Sequence, residues 1–281
     1  EEIFRIKEEF GGTSLAVNDD NFMGDSERAM EIIRYIKELG LQATFQNGVL
    51  MYKLTREMLE TIADAGVEEI VLPIESGSER VLKDIMHKPL NHKIIKRVVA
   101  DCLELGIDTP TNILIGLVGE TKKDVEDSAS FLRELDGISW FRISIATPLP
   151  GSELFNQVMD GGHLVANHKW EDDHYRRATI TTDDMSAEFI QSRAYELNLD
   201  LNFVHNGEMR RGDYETALAR FENINRVVNQ HAFAFYYAAK CAKEIDEIDL
   251  YKKYSKEYEN LILHSPEWRK WANKWSLEGK P

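Results

Sequence analysis

Cysteine is almost missing: Cys102 and Cys241 are the only two in 281 residues. Two thiols so far apart make no Cys-x-x-Cys metal pair and no disulfide framework. Positive charge is also scarce, with 34 Lys and Arg against 49 Asp and Glu and a net charge of −15. Nonspecific nucleic-acid binding rests on Lys and Arg neutralising phosphates, and no run of five or more occurs, so no nucleic-acid partner is expected. No stretch of 18 apolar residues and no signal-peptide pattern is found, so no membrane association is expected and a cytoplasmic location is the default. An initiator methionine is absent too. The chain opens on Glu1 in a polar, helix-like segment, and reads as a piece whose natural N-terminal part is missing.

What is present describes a globular protein, with 43% hydrophobic and 30% charged residues. Three apolar runs end in a carboxylate beside small or amide residues: Leu15 to Asp20, Ile70 to Glu75, and Ile113 to Glu120. Strands are expected over 13–18, 42–46, 67–74, 111–115 and 138–146. Helical periodicity follows four of them, over 26–39, 55–65, 91–105 and 121–135. Gly40, Gly66 and Gly106 close three of these helices. Such alternation gives an α/β fold with a parallel sheet whose strand ends share one rim. Five strands are too few to close a normal eight-stranded barrel, so a partial TIM-like (βα) barrel over 1–158 is expected.

From 159 to 185 the pattern dissolves into polar sequence, read as a linker or covering loop. Residues 186–281 read as an all-α region. There Gly212-Asp-Tyr-Glu-Thr-Ala217 with Phe221, and a looser copy over 232–266, resemble tetratricopeptide repeats. Two imperfect copies are fewer than normally stand alone.

Several residues at the strand ends suit ligand chemistry. An idle carboxylate at the end of a buried strand is costly, which singles out Glu75. Asp19, Asp20 and Glu120 occupy corresponding positions, where the plainer reading is loop punctuation. Asn47 and Arg142 end or interrupt apolar strands, and a guanidinium there suits a carboxylate ligand. Ser76, Ser78 and Thr121 read as helix caps whatever else they do, with capping-box spacing from Ser76 to Glu79 and from Thr121 to Asp124. His163, His168 and His174, among Glu171, Asp172 and Asp173, match no metal-ligand spacing, so a solvated loop and no metal site are expected. Both cysteines read as small core residues. No residue is assigned to the catalytic step itself.

The strand ends carry, in order, Asp-Asp-Asn-Phe (19–22), Ile-Glu-Ser-Gly-Ser-Glu-Arg-Val-Leu (74–82), Ile-Gly-Leu-Val-Gly-Glu-Thr (115–121) and Pro-Leu-Pro-Gly-Ser (148–152). Together these resemble the core of radical S-adenosylmethionine enzymes, of the group with an N-terminal cobalamin-binding domain. The resemblance covers about 10–158. It implies a partial barrel holding S-adenosylmethionine across its strand ends beside a [4Fe–4S] cluster. One electron from the cluster cleaves the sulfonium and releases a 5′-deoxyadenosyl radical.

By the same resemblance Asp19 and Asp20 approach the methionine amino group. Glu75 and Ser76 approach the ribose or the methionine carboxylate. Gly116 and Glu120 line the adenosine side, and Thr147 follows the strand whose backbone meets adenine. The family's Cys-x-x-x-Cys-x-x-Cys loop is absent. Either the chain starts after that loop and its strand, as a piece of a radical oxidoreductase or methyltransferase, or it is a degenerate barrel. On the first reading it takes a small-molecule substrate, belongs to a protein in which an upstream domain would hold cobalamin, and is inactive alone. On the other it is a non-catalytic scaffold whose C-terminal helices bind a protein partner.

Overall fold

Short apolar runs alternate with amphipathic stretches, and each kind takes its expected form. The computed structural model describes every residue except 20, 46, 167, 171–173 and 229. The chain divides into two units, Glu1–Leu197 and Asn198–Pro281. The first contains α1 (Glu2–Phe10), β1 (Ser14–Val17), α2 (Ser26–Glu38), β2 (Gln42–Phe45), α3 (Arg56–Asp64) and β3 (Leu72–Glu75). It continues with α4 (His92–Glu104), β4 (Pro110–Ile115), α5 (Lys122–Leu132), β5 (Trp140–Ile145) and α6 (Glu153–Gly161); α7 (Ala187–Leu199) begins within it.

Three of these helices begin where a side chain satisfies a free backbone N–H group. Asp25 accepts from Arg28 N, Thr55 from Met58 N, and Asn91 from Ile94 N. Three- and four-residue spacing then puts one stripe into the core: Ala29, Met30, Ile33 and Ile36 from α2, and Ile95, Val98, Val99 and Cys102 from α4. Each large apolar side chain so buried contributes about 1.5–3 kcal/mol, against which chain entropy is set. The cysteines are therefore core residues.

All named strand pairs are parallel. Strand β1 pairs with β2, and β3, β4 and β5 pair in sequence order. Val49 N donates to Val71 O at 3.3 Å, which links the exit of β2 to the entry of β3. The architecture is a partial barrel of βα units. One face of its strands is buried, through Ala43, Phe45, Ile113, Ile115, Phe141 and Ile145. The alternate positions Ser14, Gln42, Thr44, Asn112, Arg142 and Ser144 are exposed or half-buried. A parallel sheet covered on both faces would be apolar throughout, so this polar face is the open one. A cleft of about 370 Å³ lies against it, lined by Gln42, Thr44, Phe45, Glu69 and Arg142 among others.

Beyond β5 the chain folds back upon the unit. Leu164 and Ile180 form an antiparallel bridge, and Ile145 N donates to Tyr175 O at 2.7 Å. Gln191 of α7 fixes the segment by accepting from Ala178 N and donating to Arg176 O, both at 2.9 Å. The first unit thus takes in residues that the sequence reading sets apart at 158 as linker and helical region.

The second unit holds α8 (Gly207–Arg210), α9 (Tyr214–Val227), α10 (Ala232–Glu244), α11 (Ile248–His264) and α12 (Pro266–Lys274). Helices α9, α10, α11 and α12 pack in sequence order. Phe203, Phe221, Phe233 and Tyr237 form its aromatic centre, with rings 5.5–6.3 Å apart. His231 caps α10 by accepting from Ala234 N, a start the sequence pattern does not announce. Burial pushes this imidazole down to about 4. Among the described residues, no helix is long and apolar enough to cross a membrane. Nor is there a group of three or more His, Cys, Asp or Glu that could hold a metal.

Candidate functional site

Strand β3 ends in a turn that its sequence does not favour. Glu75 has φ 67°, and Ser76 N donates back to Ile74 O at 2.9 Å, so Glu75 is the central residue of a tight three-residue turn. A non-glycine residue in this region costs about 1–3 kcal/mol and persists only where its surroundings over-determine it. The register with β4 shifts between Leu72 and Glu75. Pro73 lies within that irregular stretch, the place where a strand tolerates proline. The Glu75 carboxylate is 24% exposed and meets Lys88 Nζ at 3.2 Å.

The next three residues are held by the helices behind them. Ser76 and Ser78 are buried, and the Ser76 hydroxyl accepts from Ser78 N at 3.1 Å. Gly77 N donates to Ser128 Oγ at 2.7 Å, and a β-carbon at 77 would fall 2.6 Å from Ser128 O. Only glycine fits so close to the α5 backbone. The His92 ring, stacked on Phe131 at 3.6 Å, lies 2.7 Å from Gly77 O through Nε2, so Nε2 donates there. The expected capping box from Ser76 to Glu79 does not form. Glu79 accepts from His92 N instead, and Ser78 Oγ lies 3.4 Å from Val81 N.

At the end of β4, Glu120 folds inward. Its Oε2 accepts from Gly116 N at 2.6 Å and Leu117 N at 3.2 Å. Oε1 is buried with no hydrogen-bond partner. Burial raises this carboxyl to about 7, against the two N–H bonds that favour its charged form. Gly116 has φ 91°, and a β-carbon there would meet Ile190 Cγ2 of α7 at 2.9 Å. The resemblance puts Gly116 on the adenosine side, but the space on its β-carbon side is filled by Ile190.

The loop between these residues and α5 is fixed by Asp124. Thr121 and Asp124 form the capping box expected from sequence. Asp124 also accepts from Ser78 Oγ at 3.0 Å and from Arg80 through both oxygens, with Nε at 2.9 Å. The Arg80 guanidinium foremost holds this carboxyl far below the usual carboxylate range. A third Arg80 bond, to Gly119 O at 2.8 Å, ties the β4 loop to the β3 loop.

Of the residues singled out in the sequence, Glu75, Ser76, Gly116, Glu120 and Thr147 fall at the carboxyl ends of adjacent strands. The Thr147 hydroxyl turns back to Ile145 O at 3.2 Å. Asp19 and Asn47 follow β1 and β2 in the corresponding positions. Asp19 is exposed, accepts from Asn21 N at 2.8 Å and pairs with Arg28 at 3.3 Å. Asp20 lies outside the described residues. Arg142 stands apart from the rim. It is opposite Asn112, nearer the start of β5, with Glu69 at 3.7 Å. Sequence reasoning did not find Lys88, Arg80, Asp124 as more than a cap, or His92. All four act across long sequence separations that no local pattern marks.

Comparisons with known proteins cover the same stretch of chain. Residues 47–132 match the Radical SAM superfamily, a range that includes the Glu75 turn and the Gly116–Glu120 loop. The chain is 27% identical over 209 residues to cytidylyl-2-hydroxyethylphosphonate methyltransferase of Streptomyces wedmorensis, covering 72% of this chain and 39% of that protein. It is 27% identical over 192 residues to tRNA-2-methylthio-N(6)-dimethylallyladenosine synthase of Clostridium botulinum (strain Okra / Type B1), covering 63% and 40%. A solved structure of the cobalamin-dependent S-adenosylmethionine radical enzyme OxsB, with aqua-cobalamin bound, aligns over 99% of this chain and 45% of its own, with 15% identity and a TM-score of 0.44. The chain spans less than half the length of these proteins.

Proposed function

We propose that the carboxyl ends of β1, β3, β4 and β5 bind S-adenosylmethionine, a reading supported by the match of residues 47–132 to the Radical SAM superfamily. The observation that carries this reading is Glu75, a carboxylate held in left-handed backbone at the end of a strand with its side chain half-buried. Strain of this kind collects at ligand clamps. Ribose hydroxyls donate to a carboxylate, and Glu75 presents one at a fixed height on the rim. Asp19 offers an acceptor for the methionine ammonium, with one exposed ion pair to exchange.

Ser76 and Glu120 support this rim from within. Ser76 spends its hydroxyl on the following turn, and Glu120 spends one oxygen on the β4 loop. The unpartnered Glu120 Oε1 is the buried polar atom that a ligand hydroxyl, amine or water would satisfy. Bound there, S-adenosylmethionine supplies a sulfonium group for reductive cleavage. The residues of this chain do not fit the [4Fe–4S] cluster that the family uses. Cys102 and Cys241 are buried, belong to different units, and have thiols pushed up to about 12 by burial.

We read the whole protein as an enzyme of oxidoreductase or methyltransferase type acting on a small molecule. The substrate is not read from its relatives, whose names mention a cytidylyl phosphonate and a tRNA adenosine. The rim is tested by calorimetric titration with S-adenosylhomocysteine, which is redox-inert. The wild-type chain is expected to bind one equivalent, and Glu75→Gln to bind at least tenfold more weakly. Equal affinity for the two would remove Glu75 from the site.

A further inference from the structure

Lys88 is one of the residues that the sequence did not mark. It follows the β3 turn by a short π-helical segment, Val81–Ile85, and its own N–H bonds to Leu82 O at 2.7 Å. That bond fixes its backbone close behind the strand end. From there its ammonium reaches back to two acceptors, Pro73 O at 2.9 Å and Glu75 Oε1 at 3.2 Å. One acceptor is backbone just before the turn, and the other is the side chain of the turn's central residue. The Lys88 side chain is 30% exposed and that of Glu75 24%, so the pair is only partly open to water. Proline at 73 and the register shift leave this stretch without a regular ladder. Two observations therefore meet on one residue: a left-handed glutamate that needs holding, and an ammonium that grips both sides of it.

We propose that Lys88 is a positioning residue for the candidate nucleoside site, clamping the β3 turn and aiming the Glu75 carboxylate at the ligand. This rests on the reading of Glu75 as a ligand contact. Lys88 acts through Glu75. An ammonium whose bonds run to Pro73 O and Glu75 Oε1 immobilises the carboxylate before ligand arrives, which lowers the ordering cost of binding. Arginine keeps the charge but presents a planar fork in place of a point charge, so it restores the pairing only in part.

The test uses the full chain with Lys88→Met, Lys88→Arg, Glu75→Gln and the double variant Lys88→Met/Glu75→Gln. The first readout needs no ligand: native-state hydrogen exchange at the Ser76 amide, which closes the turn. It is expected to quicken at least tenfold in Lys88→Met and less in Lys88→Arg, with no change in the exposed control Lys123→Met. Unchanged exchange in Lys88→Met overturns the proposal.

The second readout is titration with S-adenosylhomocysteine. Lys88→Met is expected to weaken binding about tenfold, and the double variant to bind no worse than Glu75→Gln alone, since both changes remove the same aimed carboxylate. Losses that multiply would mean that Lys88 touches the ligand independently, and would also overturn it. If the wild type does not bind, or Glu75→Gln binds as tightly as the wild type, the reading of Glu75 is at fault. The exchange result then still decides whether Lys88 holds the turn.

Discussion

Glu75 carries the account at the residue scale, because its backbone and its side chain make opposite demands. At an ordinary position glycine is less stable than alanine by about 0.5–1 kcal/mol, but at φ 67° the β-carbon is the liability. Glu75→Gly is therefore expected to be more stable than Glu75→Ala by about 1 kcal/mol in chemical denaturation. Neither variant should retain the wild-type affinity for S-adenosylhomocysteine. An alanine variant as stable as the glycine variant would show that the turn relaxes at no cost.

Glu120 makes a pH-dependent prediction. Its carboxyl is raised from 4.5 to about 7, chiefly by burial, so between these values the folded chain keeps a proton that the unfolded chain has released. Its contribution to stability is then full below about 4.5 and is lost as pH rises to about 7. Glu120→Gln keeps an oxygen for the Gly116 and Leu117 N–H groups and cannot titrate. Stability measured from pH 4.5 to 7 should fall less steeply in that variant than in the wild type. Parallel curves would contradict the buried placement of this carboxyl.

Among the elements, the start of α5 does more than the sequence suggests. Thr121 and Asp124 were legible as a capping box because both lie within one turn of chain. Arg80 and Ser78 were not, since they reach Asp124 from the β3 loop across more than forty residues. The same distinction runs through the unit. Strands and helices were legible because their periodicities are local, and so were the strand-end carboxylates. The His92 donation to Gly77 O and the Ile190 methyl over Gly116 depend on packing that no window reveals.

Asp124 links two rim loops, and its carboxyl is held low first of all by the Arg80 guanidinium. The stability it contributes is present above the ordinary carboxylate range and is lost as pH falls below that range. Asp124→Asn is expected to destabilise the chain by about 2–3 kcal/mol at neutral pH, discounted because Arg80 is 45% exposed. The loss should shrink in acid. A loss that is the same at all pH values would assign Asp124 to capping alone.

The whole molecule places a strained carboxylate, a loop carboxyl and a threonine at the ends of neighbouring parallel strands, the end at which barrels of βα units bear their ligands. The open polar face with Arg142 and the cleft beside it belong to the same unit but stand away from that end. Composition alone sets the outer limits: a net charge of −15 opposes polyanions, and two cysteines supply no cluster. The central claim is that the strand ends act as one nucleoside site. Hydrogen exchange of the chain with and without saturating S-adenosylmethionine tests it most directly. Binding is expected to slow exchange at the strand ends around 75–78, 116–120 and 146–147 together, leaving the cleft residues 42–45 and 68–71 unchanged. Protection confined to the cleft, or absent from the strand ends, would contradict it.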